Sequence, residues 1–462
     1  MAQHRDTLTT RKVVEDQIVE RFKDSLRGGL IRSGDEVYDE ARKVFNGLID
    51  RRPDMIVRCA DTSDVVTSVN FARANDLLVA IRGGGHNVAG TGVCDGGMLI
   101  DLSTMKAISV DPERRIARAQ PGLLVGEFDS ATQAFGLATT LGIISHTGIA
   151  GLTLGGGSGW LQGKYGMACD NLLSVEIVTA DGRLLTASAS ENEDLFWGVR
   201  GGGGNLGVVT SFEYQLHPVG PVFGGMVVHE LSKAREVLRF YREFSRDCPD
   251  ELGTMPLFAT SPVGNPIIAI FGCYSGPLEE AEQVLKPLRA FGSPYADFFA
   301  PMNYVDMQSQ LDFGFPAGRL QEWKSGFLPF LSDEAIEILL EYAATRPSPM
   351  SAFVLQYLHG AACRVSPTET AFAHRSDKHD LLILSMWTDP SDSEKNITWT
   401  REFLEAMQPF LERGVYVNNL GDEGEDRIRA AYGPNYERLV TLKNKYDATN
   451  FFRVNQNIRP TV

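Results

Sequence analysis

The placement of glycine constrains this chain more than any other feature. Four clusters, Gly83–Gly85, Gly96–Gly97, Gly148–Gly159 and Gly201–Gly207, all fall in its first half. Clustered glycine marks tight turns, positive φ or close approach of backbone to a ligand. One such loop is a weak signal, because a turn without a ligand has the same composition. Here three of them, RGGGHN, GIAGLTLGGGSGW and RGGGGNLG, lie within one run of alternating strand-like and helix-like segments. Together they point to a large cofactor with a diphosphate, cradled by backbone N–H groups. No cluster gives the strand–GxGxxG–helix unit with an acidic residue at the next strand end, and no GxxxxGK[ST] occurs. The usual dinucleotide fold and the P-loop are therefore excluded.

The segments around the loops read as follows. Helical periodicity runs from about Val13 to Leu26. MIVRCA, from Met55, is a strand, and DTSDVVTSVNFARAND is a helix capped by Asp61 or Ser63. LLVAIRGGGH is a buried strand running into a glycine turn. LSVEIVTADG and LLTAS form a hairpin across an Asp-Gly turn. The texture changes after HPVGPVFGG, around His217 to Gly225. From there the helix-like LSKAREVLRFYREF alternates with strand-like PIIAIFGCYSG, SAFVLQYLHG and DLLILSMWTD, which predicts a second unit with an antiparallel sheet. At about 100–200 residues per domain, 462 residues suit two or three domains.

A net charge of −15 repels phosphates and anionic lipid, so nucleic acid and membrane surfaces are not expected partners. The six cysteines, at 59, 94, 169, 248, 273 and 363, show no zinc or redox spacing and no disulfide framework, and no metal is expected. The N-terminal stretch is charged throughout, with no apolar run of a signal peptide, and no later run is long enough to span a membrane. A cytoplasmic location is the expectation.

IRGGGHNVAG, SHTGIAGLTLGGGSGWLQGKYGMACDNL, FWGVRGGGGNLGVVTSFEY and the C-terminal YDATNFFRVNQNI carry a resemblance that covers nearly the whole chain, in order. The sequence resembles the berberine-bridge-enzyme-like branch of the vanillyl-alcohol-oxidase flavoprotein superfamily, in its bacterial members. The resemblance implies an α+β fold. A PCMH-type FAD-binding domain of two subdomains spans 1–218. A substrate domain with an antiparallel sheet backed by helices spans 219–415, and 416–462 returns to the flavin. It also implies FAD bonded through the histidine of RGGGH, His86. A neutral imidazole is a suitable nucleophile for that bond. The cofactor-binding set carried over with it is Arg82, Gly83, Gly84, Gly85, Asn87, Gly90, Thr147, Gly148, Gly151, Leu152, Gly155, Gly156, Gly159, Trp160, Gly204, Gly207, Val208, Asn455 and Asn457.

Relatives with a second, cysteinyl bond place that cysteine ahead of the GGG cluster, where this chain has Ile144, Ser145, His146 and Thr147. Cys169 follows KYG and reads as a buried, inert thiol where a strand enters the core. A single histidyl bond is expected, and His146 is read as capping its turn, with a place in the site as the alternative. Plant relatives use a glutamate base at a position that holds Arg364 here. The catalytic candidates are therefore Tyr165 and Tyr416, with Arg364 either as the cation beside them or as a binder of a substrate carboxylate or enolate, and Thr147 over the flavin where dioxygen approaches. Strand alternation would put Gln356, Leu358, Gly360, Ala362 and Arg364 on the flavin-facing side. The expected reaction is hydride transfer from a small alcohol, amine or secondary metabolite to FAD, reoxidised by dioxygen with release of hydrogen peroxide. An oxygenase acting on a polyketide-like substrate and a non-catalytic flavin-binding protein stand as alternatives.

Overall fold

The computed structural model describes residues 14–462; the first residue of the expected N-terminal helix, Val13, lies outside them. The helix itself occupies Asp16–Asp24. The first sheet has four strands in the order Gly29–Arg32, Met55–Arg58, Met98–Asp101, Val79–Arg82. Its first pair is antiparallel and the other two are parallel. Helix Thr62–Ala74 starts where expected. Asp61 is its cap and accepts from the backbone N–H of Ser63 and Asp64, which satisfies amides the first turn leaves unpaired.

A second sheet has five antiparallel strands in the order Ile108–Asp111, Ile116–Ala119, Val208–Gln215, Leu172–Val178, Leu184–Ser188. The hairpin over Asp181-Gly182 is present, with Val178 opposite Leu184 and Gly182 at φ +81°. Helix Tyr436–Tyr446 packs into the core of this unit beside Trp197 and Leu206. Phe451 and Phe452 pack beside the first sheet.

The third sheet is antiparallel and has eight strands. Its centre runs Pro266–Tyr274, Leu252–Thr260, Ala352–Leu358, Lys378–Trp387 and Leu320–Leu328. Both faces are apolar, so alternation sorts side chains between two cores rather than between core and water. Phe353, Leu355, Leu381 and Ile383 pack on one side under helices Ala234–Arg246, Leu278–Ala290, Asp333–Ala344 and Ser393–Met407. Val354, Leu382, Leu384 and Leu257 face the other way, toward the two smaller sheets.

Two local expectations are corrected. The strand ends at Leu358, Gly360 takes φ +62°, and Ala361–Arg364 is one helical turn, so the alternation stops before Arg364. Cys169 lies in a 3₁₀ turn, Ala168–Asn171, three residues ahead of the strand that begins at Leu172. Among the described residues, no helix is long and apolar enough to cross a membrane.

Candidate active site

A deep cavity runs between the two smaller sheets and the open face of the large one. The strand Val79–Arg82 delivers the first glycine loop to it. Gly83, Gly84, Gly85, His86 and Asn87 all line the wall. Arg82 lines it too, with its guanidinium gripping both oxygens of Asp101 on the neighbouring strand (Nε–Oδ1 3.1 Å, Nη2–Oδ2 2.7 Å). The second loop contributes Thr147, Gly148, Gly151 and Leu152, the third Gly204, Gly207 and Val208, and the C-terminal segment Asn455. The first two loops touch backbone to backbone. A Cβ on Gly84 would lie 2.6 Å from the N and Cα atoms of Gly148, so neither position admits a side chain without separating the loops.

The His86 ring stacks on Phe45 (centroids 3.8 Å, 16°), with the His146 ring 5.3 Å away. Burial pushes the His86 pKa down to about 3, with a smaller contribution from His146, so the imidazole is neutral at physiological pH. Its Nε2 is buried without a hydrogen-bond partner. Asn87 Oδ1, Ser158 Oγ and Asn455 Oδ1 on the same wall are also buried and unpartnered. Buried polar atoms are rarely left so. Four of them on residues that line one cavity match the needs of a polar, multi-ring ligand.

The large sheet supplies the opposite wall through Met255, Leu257, Trp323, Val354, Gln356, Leu382 and Leu384. On that same strand face, opposite Gln356, sits Asp380. It is buried, and burial pushes its carboxyl up to about 7 against the smaller opposing effects of Asn419 and Lys378. Asn419, which lines the cavity, donates through Nδ2 to Asp380 Oδ2 at 2.7 Å. Asp380 Oδ1 has no partner.

Several expected site residues lie elsewhere. Arg364 is on the surface, its side chain 61% exposed, in a forked ion pair with Asp250 (3.1 and 2.5 Å). Tyr165 stacks on His217 (4.0 Å) and donates to the carbonyl of Pro218 (3.3 Å), away from the cavity. Tyr416 does reach the wall. Its hydroxyl oxygen accepts from Gly157 N (2.8 Å), Ser158 N (3.2 Å) and Asn418 Nδ2 (2.8 Å), and burial pushes its pKa up. It braces the second loop and is a poor base. Gly155, Gly156, Gly159 and Gly90 are off the wall. Their missing side chains make room for Asn418, Phe372, the Leu141 carbonyl and Ile49 respectively. Trp160 packs against the large sheet, and Asn457 lies beyond the wall. His146 does not cap its turn: its Nε2 is buried without a partner and its ring leans toward Phe45 and His86.

The FAD binding domain family matches residues 53–188, and the berberine and berberine-like family matches residues 415–459. An FAD-linked oxidoreductase of Dictyostelium discoideum is 32% identical over 460 residues, covering 98% of this chain and 99% of that one. The chain belongs to the berberine-bridge-enzyme-like FAD-linked oxidoreductases. The crystal structure of 6-hydroxy-D-nicotine oxidase from Arthrobacter nicotinovorans superimposes on this berberine-bridge-enzyme-like chain with a TM-score of 0.87 at 29% identity, covering 94% of this chain and 98% of that one. A xylooligosaccharide oxidase from Myceliophthora thermophila shares the fold (TM-score 0.84, 22% identity, 96% and 99% covered). The chain is thus an FAD-linked enzyme of the oxidase type. The glycine loops and the four unpartnered polar atoms fit that cofactor. Reasoning from the sequence missed Phe45, Asn418, Asn419 and Asp380. For Asp380 a signal existed: KHDLLIL carries one carboxylate into an otherwise apolar strand, and a buried carboxylate needs a reason.

Proposed function

We propose that the protein is an oxidase that carries FAD through one covalent bond to His86 and takes hydride from a small organic substrate. The observation that carries this reading is the His86 imidazole: neutral, buried, with an unpartnered ring nitrogen, at the end of the glycine loop. Neutral imidazole is the nucleophilic form. Bound FAD supplies the two-electron acceptor, with dioxygen as the final oxidant and hydrogen peroxide as its product.

In this reading the chain's own residues divide the remaining work. Backbone amides of the three glycine loops hold the diphosphate. Asn87, Ser158 and Asn455 offer their free polar atoms to the cofactor. Asp380, just behind the lining residues Gln356 and Asn419, receives through one water the proton that leaves the substrate heteroatom as hydride departs, with Asn419 holding its Oδ2. A carboxyl at about 7 is well matched to accepting that proton near neutral pH. Cys169 carries no flavin, since it is buried and its thiol is pushed up by that burial. We assign residues up to 218 and from 416 onward to the flavin unit and 219–415 to the substrate unit, a division that follows the three sheets. The free cysteines fit a reducing, cytoplasmic setting.

Denaturing gel electrophoresis with flavin fluorescence tests the link. A fluorescent band is expected for the wild type and none for His86→Ala, and the tryptic flavopeptide should contain His86. Flavin found on Cys169, or none retained by the denatured wild type, would sink the covalent assignment. Peroxide release on substrate oxidation tests the oxidase itself.

A further inference from the structure

The sheet wall of the cavity has an ordered polarity. Strand register sets it out in rows. Gln356 stands opposite Asp380. Two residues along the same face, Val354 stands between Leu257 and Leu382. Two further along, Leu384 stands opposite Trp323. Same-face neighbours two residues apart on a strand are separated by about 7 Å. Among the described residues that line the cavity from this sheet, Gln356 alone carries a side-chain amide, and the lining beyond it is apolar side chains and indole across the breadth of a ring; Ser325, opposite Leu382, is buried off the lining.

No lysine, arginine, aspartate or glutamate lines the cavity among the described residues except Arg82. That guanidinium belongs to the flavin side and is already held by both oxygens of Asp101. A carboxylate or phosphate in the substrate would find no free cation. A saccharide carries a hydroxyl on nearly every carbon, and each one buried here without a partner is penalised. Among the described residues, the sheet side of the lining offers a side-chain amide only at Gln356.

We infer that the substrate is an uncharged, largely apolar ring compound with a single hydroxyl or amine at the carbon oxidised, seated with its ring on the Leu257–Val354–Leu382 row and its heteroatom at the Gln356 end, where Asn419 holds the buried Asp380. This rests on the oxidase reading above and narrows its substrate class. The wall selects by what it lacks: the ring gains from apolar burial, and sugars and anions are rejected by groups left unpaired.

The test uses the holoenzyme and its flavin absorbance. Benzyl alcohol, cellobiose and benzoate are each titrated, and the perturbation of the flavin spectrum gives a Kd. Benzyl alcohol should bind at least about tenfold more tightly than either of the others. In Leu382→Gln, which sets an amide in the middle apolar row, that preference should shrink by about tenfold, and Leu257→Gln should repeat the effect in case the first variant folds poorly. Equal or tighter binding of cellobiose or benzoate, no perturbation by benzyl alcohol up to its solubility, or an unchanged preference in both folded variants would each overturn the inference. Flavin fluorescence on a denaturing gel, and peroxide formed when the dithionite-reduced protein meets air, report separately on the oxidase reading, so the two can fail independently.

Discussion

Asp380 brings ionisation, stability and chemistry together in one residue. Its folded pKa of about 7 stands above the ordinary carboxylate value of about 4. The protonated form is therefore the one the fold favours. The stability associated with it is fully present below about pH 4 and is lost as pH rises through about 7. Catalysis needs the opposite form. The rate of flavin reduction should rise with pH through about 7 in the wild type. Asp380→Asn should lose that rise and fall by roughly 10²–10⁴-fold, while melting at a higher temperature than the wild type at pH 8. Stopped-flow reduction across pH 5–9 and thermal melts at pH 8 check both; a preserved pH rise in the variant would remove Asp380 from the proton path. The contrast with Arg364 shows what sequence reading can reach at this scale. The glycine loops were legible because glycine reports on its own backbone. Asp380 and Asn419 meet across 39 residues, and nothing local in either segment announces the pairing. Arg364 was misread because alternation was carried through Gly360, whose φ of +62° ends the strand.

Among the elements, the short segment Phe45–Gly47 ties the site's two sides together. Phe45 stacks on His86. Asn46 donates to the carbonyls of Val88 and Gln321 and accepts from Gln321 N. Gly47 N donates to the Arg319 carbonyl at 2.8 Å. A polar buried joint of this kind, with the Asn46 amide bonded to both sides, fixes one relative position of loop and sheet. The two glycine loops form a second joint, and it can be tested by a matched pair. Gly84→Ala drives a methyl into the Gly148 backbone and should cost about 1–3 kcal/mol along with a loss of bound flavin. Gly151→Ala meets nothing within 4 Å in helix Ile149–Leu154 and should leave the melting temperature unchanged or raise it by a degree or more, since alanine favours a helix by up to about 1 kcal/mol. Equal melting temperatures for the two variants would show that the loops are free to part. The strands and helices of this molecule were mostly visible as patterns in the sequence. These joints were not, because each depends on loops whose sequence carries no periodicity.

Taken whole, the molecule holds several imidazoles away from water. Burial pushes His86 to about 3, and His217, His374 and His379 to about 4. Unfolding returns each toward about 6.5. Their stability is present above pH 6.5 and drains away as pH falls toward 4. Asp129, fully buried with neither oxygen partnered, has its carboxyl raised, and with Asp380 it works in the opposite sense over that range. The histidines outnumber them. The apoprotein's melting temperature should therefore fall between pH 6.5 and 4 in a calorimetric scan; a flat or rising profile would show that the two carboxyls outweigh the imidazoles. The change in texture near His217 was legible at this scale, and the third sheet is built wholly of segments beyond it, from Val222 to Trp387. How the units face each other was not legible. One consequence follows for how such a molecule can change over generations. The loops that meet His86 and the sheet rows that meet the substrate share no residue and no secondary-structure element. Mutation can therefore redraw the middle row, Leu257, Val354 and Leu382, while leaving the redox end untouched, so new substrate ranges are reachable by short walks of single substitutions, each of which passes through a protein that still binds its cofactor.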